Sequence, residues 1–392
     1  MILRVILIAT CFYVGFSLTR VTASLDALAP GAGSLEVGLL IGLLSLFPTF
    51  MAIACGRWID RTDPRTPFVI GGVTVLFGIA IPFAFPAAGH GLFPLAFSCS
   101  FVGIGIMVIT MLVQRLVGAL STGATRLANF SWLATATAAS GFFSPVASGY
   151  IIDHSSHQLA FGFGTLVVAA GVAFALLSLR KLPATWGDRP AGKKQGKTFE
   201  LLRVPRVRNV LLVSALVSMA WDLQVFMFPV YGNAIGLSAT EIGWLIGAFC
   251  SATFAVRFLM PVLAKFFTEW QFLIAVLAVG AASYALFPFF TDFAPLAACA
   301  FILGLGLGAS QPNVMSLLQT QSPKGRVDEA LGIRTTFTNL CHMALPAGFG
   351  VLAAAFGVFW IFIAMAAILG VSAVLVCFRN RDGEAEDEGM AQ

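Results

Sequence analysis

The sequence predicts an all-α membrane protein with twelve transmembrane helices, arranged as two six-helix pseudo-symmetric bundles. Its composition, its long apolar runs and an internal repeat all indicate this fold class. Of 392 residues, 58% are hydrophobic and only 10% are charged, whereas about a quarter of a soluble domain is charged. Such a chain has too few polar groups to cover its apolar surface in water, so lipid is its expected solvent.

Twelve apolar runs are each long enough to cross roughly 30 Å of hydrocarbon as a helix. They lie near residues 4–28, 36–58, 66–86, 92–115, 127–152, 159–180, 207–231, 240–265, 270–290, 295–319, 329–353 and 356–378. The first run also has features of a secretory signal, but Arg20 interrupts it and the repeat described next requires it as a span. We therefore expect a retained first helix.

The two halves of the chain repeat each other. Residues 33–42 match residues 238–247 at a constant offset of 205. Further on, an offset of 201 aligns three residues of the first half with counterparts in the second: Gly103 with Gly304, Pro145 with Pro346 and Gly149 with Gly350. A parallel six-plus-six repeat brackets a pathway at the interface of its halves, near mid-membrane.

The repeat and the distribution of polar residues predict four regions. We expect a six-helix bundle over residues 1–182, a basic cytoplasmic linker over 183–205, a second six-helix bundle over 206–380 and a disordered acidic tail over 381–392. The linker is the longest polar stretch, and a surface helix is expected near its end, around residues 199–204. The tail is acidic and has few apolar residues, which is typical of disorder.

Basic residues mark one side of the membrane. The central segment 180–208 holds nine Lys or Arg against two acidic residues, and the connections on the opposite side contain no Lys or Arg. The positive-inside rule therefore predicts a multi-pass protein of the inner (cytoplasmic) membrane with both termini in the cytoplasm. Because the basic residues lie in these loops, the net charge of +5 does not indicate a nucleic-acid partner.

A charged motif connects the second and third spans. It reads Gly56-Arg57-Trp58-Ile59-Asp60-Arg61-Thr62-Asp63-Pro64-Arg65. This resembles the loop motif of the major facilitator superfamily, which has Gly, three residues, Asp-Arg, any residue, Gly and two basic residues. Gly56, Asp60, Arg61 and Arg65 match the motif, while Asp63 and Pro64 depart from it. The resemblance covers essentially the whole chain and implies the superfamily's two-bundle fold and the transport of small solutes.

Asp60 has two interpretations within this resemblance. It either latches the cytoplasmic side in one state or is a solvated loop charge. A latching carboxylate would bond the N–H groups at a neighbouring helix end, or pair with Arg115 or Arg126. The expected latch residues are Gly56, Asp60, Arg61, Arg65, Arg115 and Arg126, although Arg61 and Arg65 also suit contact with lipid phosphates.

The fifth span contains small residues around a proline: Ser140, Ser144, Pro145, Ser148 and Gly149. They resemble a serine-containing version of the Gly-Pro motif of the superfamily's proton antiporters, and they allow close helix approach whatever the coupling mechanism. Drug antiporters of the superfamily carry an arginine in the fourth span where this chain has Cys99, which counts against a standard multidrug exporter. The seven cysteines show no metal or redox spacing and are expected to be apolar fillers.

Charged residues near the centre of a span cost at least about 2.5 kcal/mol, so each is a functional candidate. Arg20 in the first span and Asp222 in the seventh lie at similar depth, which predicts an Arg20–Asp222 pair. Asp26 is a second possible partner for Arg20. Asp222 is expected either to carry the coupled proton or to belong to a structural pair. Arg257, deep in the eighth span, either contacts an anionic substrate, snorkels or pairs structurally, and Arg334 lies about one turn inside the eleventh span.

Uncharged polar residues complete the candidate pathway: Gln224, Gln311, Asn313, Asn339 and His342. Each is alternatively a hydrogen-bonding contact between helices. His342 is either a neutral hydrogen-bonding residue or a proton carrier. Asp153, His154 and His157 lie in one external loop, where we expect hydration and no metal site.

These patterns predict a secondary active transporter that works by alternating access and is driven by protons. Embedded arginines outnumber embedded acids, which favours an organic anion as the substrate. The alternative is a proton-driven efflux pump for amphipathic drugs or metabolites. The chain has no Walker-type sequence and no nucleophile-and-base cluster, so a membrane-embedded enzyme is a distant alternative. The expected partners are a small-molecule substrate, protons and the lipid bilayer, with no cofactor, and a monomer is expected.

Overall fold

The computed structural model describes residues 2–121, 125–179, 204–263, 267–322 and 327–390, but not every side chain within them. The described chain is almost entirely helical. Its helices are α1 Ile2–Leu28, α2 Ser34–Arg61, α3 Arg65–Ala84, α4 Ala87–His90, α5 Phe93–Ala119, α6 Arg126–His154, α7 His157–Leu179, α8 Pro205–Ala234, α9 Ala239–Leu263, α10 Glu269–Leu286, α11 Phe293–Gln321, α12 Val327–Phe356 and α13 Val358–Met390.

Each predicted span falls on a long helix, and α4 is a short extra turn. Within the described chain, eleven helices are long and apolar enough to cross a membrane. The remaining long helix, α6, has 29 residues and is rich in Ala, Ser and Thr, which lowers its hydropathy but not its length. The all-α transmembrane fold class is confirmed.

The structure describes little of the predicted linker and most of the acidic tail. Residues 183–203 of the predicted linker, including most of the expected surface helix, lie outside the described residues. The helix α13 continues to Met390, whereas disorder was expected from residue 381. Ala, Glu and Met favour helix, and extending an existing helix needs no new nucleus, so the helical backbone continues into the acidic segment.

The turns between α1 and α2 and between α8 and α9 have the same backbone geometry. Gly31 has a φ of 93° and Gly236 a φ of 83°, a conformation that favours glycine. In each turn the residue after the glycine donates its N–H to the carbonyl five residues earlier, at 3.2 and 2.9 Å respectively. This is the bond pattern of a Schellman helix end. The two turns are 205 residues apart, so the sequence offset extends to backbone conformation.

The helices pack as two compact units. The first contains the described residues of Met1–Ala191, Phe226–Gly247 and Pro346–Val351, and the second those of Gly192–Val225, Ala248–Leu345 and Leu352–Gln392. In the first unit α1 packs against α5, α6 and α7, while α3 packs against α5 and α7. In the second unit α10 packs against α11 and α13.

Each unit contains a helix contact that only glycine permits. A Cβ on Gly103 of α5 would lie 2.2 Å from the carbonyl oxygen of Leu44 on α2. A Cβ on Gly304 of α11 would lie 2.3 Å from the carbonyl oxygen of Phe249 on α9. Any side chain would force these helices apart, because the obstacle is backbone. The two glycines are the pair that the repeat aligns at an offset of 201.

Candidate proton and substrate site

Asp222 and His342 form a hydrogen-bonded pair in the second unit. Nδ1 of His342 on α12 lies within hydrogen-bond distance of Oδ1 of Asp222 on α8. The Asp222 side chain is 8% exposed and the His342 side chain 37%. A buried carboxylate is therefore connected to a partly open imidazole.

The position of each residue along its helix brings the two to similar depth. At 1.5 Å per residue, Asp222 lies about 26 Å from the start of α8, and His342 about 23 Å from the start of α12. Both helices are predicted to begin in the cytoplasm. The pair therefore belongs to the interior of the spans, beyond their midpoints.

Neighbouring aromatic residues hold this part of α8 in place. Tyr284 of α10 is fully buried and donates its hydroxyl hydrogen to the carbonyl oxygen of Ala220. Trp221 packs edge-to-face against Phe249 of α9, with 5.0 Å between ring centroids. A buried phenol needs a hydrogen-bond partner, so its bond fixes the rotation of α8 beside Asp222.

The two oxygens of the Asp222 carboxylate differ in their hydrogen bonding. Oδ2 is buried and has no hydrogen-bond partner among the described residues. Gln224, two positions further along α8, is also buried. A charged oxygen without a partner is costly to bury, so this carboxylate would be stabilised by a proton or by a donor from a ligand.

The two arginines of the second unit have different surroundings. Arg334 of α12 is half-buried, and its Nε donates to Oγ of Ser214 at 2.9 Å. Arg257 of α9 is exposed and has no ion pair within the described part of the chain. It lies about 9 Å from the last residue of α9. Arg257 is therefore the more available guanidinium.

The uncharged candidates of the second unit lie on α11 and α12. Asn313 is buried, and its side-chain nitrogen has no partner among the described residues, whereas Gln311 is exposed. Asn339 is half-buried and precedes His342 by three positions, which places both on one face of α12. Of the polar candidates, the structure joins Asp222 and His342 by a direct bond.

Arg20 and Asp26 belong to the first unit, on α1. Arg20 is half-buried and Asp26 is buried. The sequence suggested Arg20 as the partner of Asp222, whereas the structure gives Asp222 a histidine partner within its own unit. The Arg20–Asp222 pair stays a prediction.

Sequence reasoning missed a hydroxyl cluster in the first unit. The hydroxyl of Tyr13 on α1 lies close to the side chains of Thr110 on α5 and Thr137 on α6. The three residues are distant in sequence, and tyrosine and threonine are ordinary within spans, so only packing reveals the cluster.

The charged loop motif covers the last turns of α2, the short connection after it and the first residue of α3. Arg61 and Arg65 are exposed, and a Cβ added to Gly56 would meet no described atom within 4 Å. Asp63, which departs from the superfamily motif, accepts a hydrogen bond from the backbone N–H of Arg65 at 3.0 Å, at the start of α3. The side chains of Asp60 and Arg126 lie outside the described residues, while Arg115 is half-buried on α5. The cytoplasmic latch stays a prediction.

Two of the small residues of α6, Pro145 and Gly149, lie where this helix crosses α9. Ser140, Ser144 and Ser148 are buried. A Cβ on Gly149 would lie 2.2 Å from the carbonyl oxygen of Ala239, and a Cβ on Gly243 of α9 would lie 2.4 Å from that of Pro145. We call this contact the α6–α9 crossing.

An equivalent crossing joins α12 to α2. A Cβ on Gly38 would lie 2.3 Å from the carbonyl oxygen of Pro346, and a Cβ on Gly350 would lie 2.7 Å from that of Ser34. These four residues are the repeat partners of those in the α6–α9 crossing. The repeated glycines and prolines are thus the contact points of two pseudo-symmetric crossings, both within the first unit.

Asp153 extends the α6–α9 crossing with a charged contact. Its Oδ1 accepts a hydrogen bond from the Ala239 N–H at 3.0 Å, and its Oδ2 from the Thr240 N–H at 2.7 Å. Burial alone raises the pKa of Asp153, but these N–H groups and the nearby hydroxyls of Thr240 and Ser238 outweigh it and hold the pKa below its usual value. This role could not be recognised from the sequence, because Asp153 belongs to a short polar stretch that suits simple hydration.

A bundle of membrane-spanning helices with an acid–imidazole pair inside its spans is typical of membrane transporters. Comparison with known families supports this class. The Major Facilitator Superfamily profile matches residues 5–238 and 210–391. The chain belongs to the Major Facilitator Superfamily, and it is a transporter, not an enzyme.

Solved structures show the same fold. A bacterial homologue of the human lysosomal transporter Spinster, inward-facing and unoccupied, has a TM-score of 0.76 at 15% identity, covering 97% of this chain and 96% of its own. A POT family transporter in complex with a thioalcohol-conjugated peptide has a TM-score of 0.75 at 14% identity, with 96% of each chain covered. A POT family transporter with 5-aminolevulinic acid has a TM-score of 0.74 at 15% identity, with 95% of each chain covered. No curated protein sequence matches significantly.

Proposed function

We propose that the chain is a proton-coupled secondary active transporter that moves a small organic anion across the inner membrane by alternating access. The observation that carries the proton coupling is the Asp222–His342 pair, a buried carboxylate bonded to a partly open imidazole within the spans. Both termini face the cytoplasm in this proposal, as the distribution of Lys and Arg predicts.

The pair changes its net charge by one when it takes up a proton. With its Nδ1 hydrogen donated to Asp222, a neutral His342 leaves the pair with a charge of minus one. Protonation at Nε2 turns the pair into a neutral ion pair. Because a net charge within a span is costly, loading of the proton and movement of the site through the membrane are coupled.

The proposed substrate class, an organic anion, is inferred from Arg257. This residue is exposed on α9 and has no ion pair within the described residues. An arginine cannot give up its charge at ordinary pH, so it attracts a carboxylate or another anion. Arg334 already bonds to Ser214, which makes it less available.

Reconstitution in liposomes tests the proposal. A thermal-shift screen of the purified protein against metabolite anions and hydrophobic cations first selects a ligand. Uptake of that ligand is then measured with and without an imposed pH gradient, with a protonophore as the control. We expect anion binding and gradient-driven accumulation that the protonophore abolishes. Accumulation that ignores the gradient contradicts proton coupling, and stabilisation by hydrophobic cations alone favours the efflux alternative.

A further inference from the structure

The two pseudo-symmetric crossings differ in one respect. In the α6–α9 crossing the carboxylate of Asp153 accepts two backbone hydrogen bonds. The equivalent position in α12, 201 residues later, is Ala354. In that crossing α2 begins after Gly33, with no side-chain capping bond. The backbone contacts are repeated, but the charged contact is not.

The Asp153 bonds are additional to the capping box that α9 forms from its own residues. The start of this helix has its own reciprocal pair, because the Glu241 N–H donates to Oγ of Ser238 at 3.1 Å and the Ser238 N–H donates to Oε2 of Glu241 at 2.8 Å. These bonds form the pattern of a capping box. Asp153 accepts from the two N–H groups between them, those of Ala239 and Thr240. The remaining donors at the start of α9 are therefore satisfied by a residue of α6, which joins the two helices.

We propose that Asp153 is the positioning residue that holds the α6–α9 crossing closed at the predicted external face, and that its release from α9 is a step of the transport cycle. The proposal rests on the alternating access and orientation given under Proposed function, but not on proton coupling. The physical basis is a carboxylate bonded to two consecutive N–H groups at the positive end of a helix.

Two measurements on the full-length protein test this role. Hydrogen exchange reports directly on the Ala239 and Thr240 amides. Spin labels on Leu159 of α7 and Trp244 of α9, which are both exposed, report the distance across the external end. Labelling requires a background in which the seven cysteines are replaced. The variants are Asp153→Asn, Asp153→Ala and, as a rescue, Asp153→Glu.

Asp292 supplies the matched control. It is an exposed carboxylate at the start of α11, on the same predicted face, and its side chain makes no capping bond. The Asp292→Asn variant therefore removes the same charge without removing a helix contact. Melting temperatures of all variants separate conformational effects from general destabilisation.

In Asp153→Ala we expect faster exchange at the two amides and a rise of about tenfold in the ratio of long to short label distances, because charge-assisted bonds are lost. Asp153→Asn should give a smaller rise, and Asp153→Glu should return most molecules to the short distance. Asp292→Asn should match the parent. Faster exchange with unchanged label distances in Asp153→Ala would reduce the contact to a local cap and overturn the proposal. An Asp292→Asn effect equal to that of Asp153→Asn would overturn it as well. Neither result bears on proton-driven uptake, so failure here is distinguishable from failure of the proposed function.

Discussion

Single residues decide the chemistry of this transporter, and the most informative are those with incomplete bonding inside the spans. Asp222 has one bonded and one unbonded buried oxygen. Arg257 is an exposed residue with no ion pair among the described residues, whereas Arg334 is bonded to Ser214. Such differences between residues of the same type allow matched tests.

The pair Arg257 and Arg334 gives the first test. Arg257→Ala should weaken binding of an anionic ligand by tenfold or more, since a lost charge-assisted contact costs about 1.5–3 kcal/mol. Arg334→Ala should change affinity less, and Arg257→Lys should recover only part of it, because an ammonium cannot form a planar two-pronged contact. Isothermal titration with the selected ligand measures the affinity of all three variants. Unchanged affinity in Arg257→Ala would remove it from the substrate site.

Asp60 gives the second test. Asp60→Asn should insert normally but transport several-fold more slowly, because the amide keeps the shape of the carboxylate and loses the charge-assisted latch. Initial rates at matched membrane abundance measure this, with Asp63→Asn as the control for a nearby loop charge. Equal rates for Asp60→Asn and the parent would leave Asp60 as a solvated loop residue.

The sequence was sufficient to select Asp222 and His342, but it did not pair them. Depth along a helix can be counted from the sequence, which is why Arg20 and Asp222 looked like partners. The rotation of each helix depends on packing, such as the bond from Tyr284 to Ala220. For the same reason Tyr13 and Asp153 were not selected, since neither lies in a sequence pattern that indicates its contacts.

Among the helices, the crossings are fixed by backbone contacts that need glycine. Gly149→Ala should open the α6–α9 crossing, because its Cβ would lie 2.2 Å from the carbonyl oxygen of Ala239 and backbone cannot move aside cheaply. Gly348→Ala is the control, since its Cβ would meet nothing within 4 Å and alanine favours helix by up to about 1 kcal/mol.

Label distances across the α6–α9 crossing and melting temperatures of both glycine variants provide the measurement. Gly149→Ala should populate the longer distance and lower the melting temperature. Gly348→Ala should leave both unchanged or raise the melting temperature. If both variants behave alike, close approach at Gly149 is not what holds the crossing.

The pH response of the α6–α9 crossing follows from Asp153. Its pKa is held below the usual value in the closed crossing, so its stabilisation is complete above the ordinary aspartate pKa of about 3.9 and is lost as pH falls through the lowered pKa. Label distances in the parent should therefore stay constant between about pH 5 and pH 8 and lengthen only in stronger acid. Opening near pH 6 would show that another group controls the crossing.

At the scale of the whole molecule, the internal repeat was the part of the fold that the sequence predicted most fully. The offsets of 205 and 201 reappear in the turns at Gly31 and Gly236 and in the paired crossings. Helix positions were predictable because a long apolar run satisfies its backbone hydrogen bonds in lipid by forming a helix. The extent of α13 was not predictable, because the composition of an acidic segment is the same whether the segment is disordered or continues a helix.

Coupling of solute movement to a proton through the Asp222–His342 pair is the central claim, and gradient-driven transport by Asp222→Asn in proteoliposomes tests it most directly. Accumulation under an imposed pH gradient and exchange without a gradient are measured for the parent, Asp222→Asn and Asp26→Asn, the last as a second buried carboxylate. We expect Asp222→Asn to lose accumulation and keep exchange, since exchange does not require release of the proton, while Asp26→Asn keeps both. Gradient-driven accumulation that survives intact in Asp222→Asn would contradict the claim.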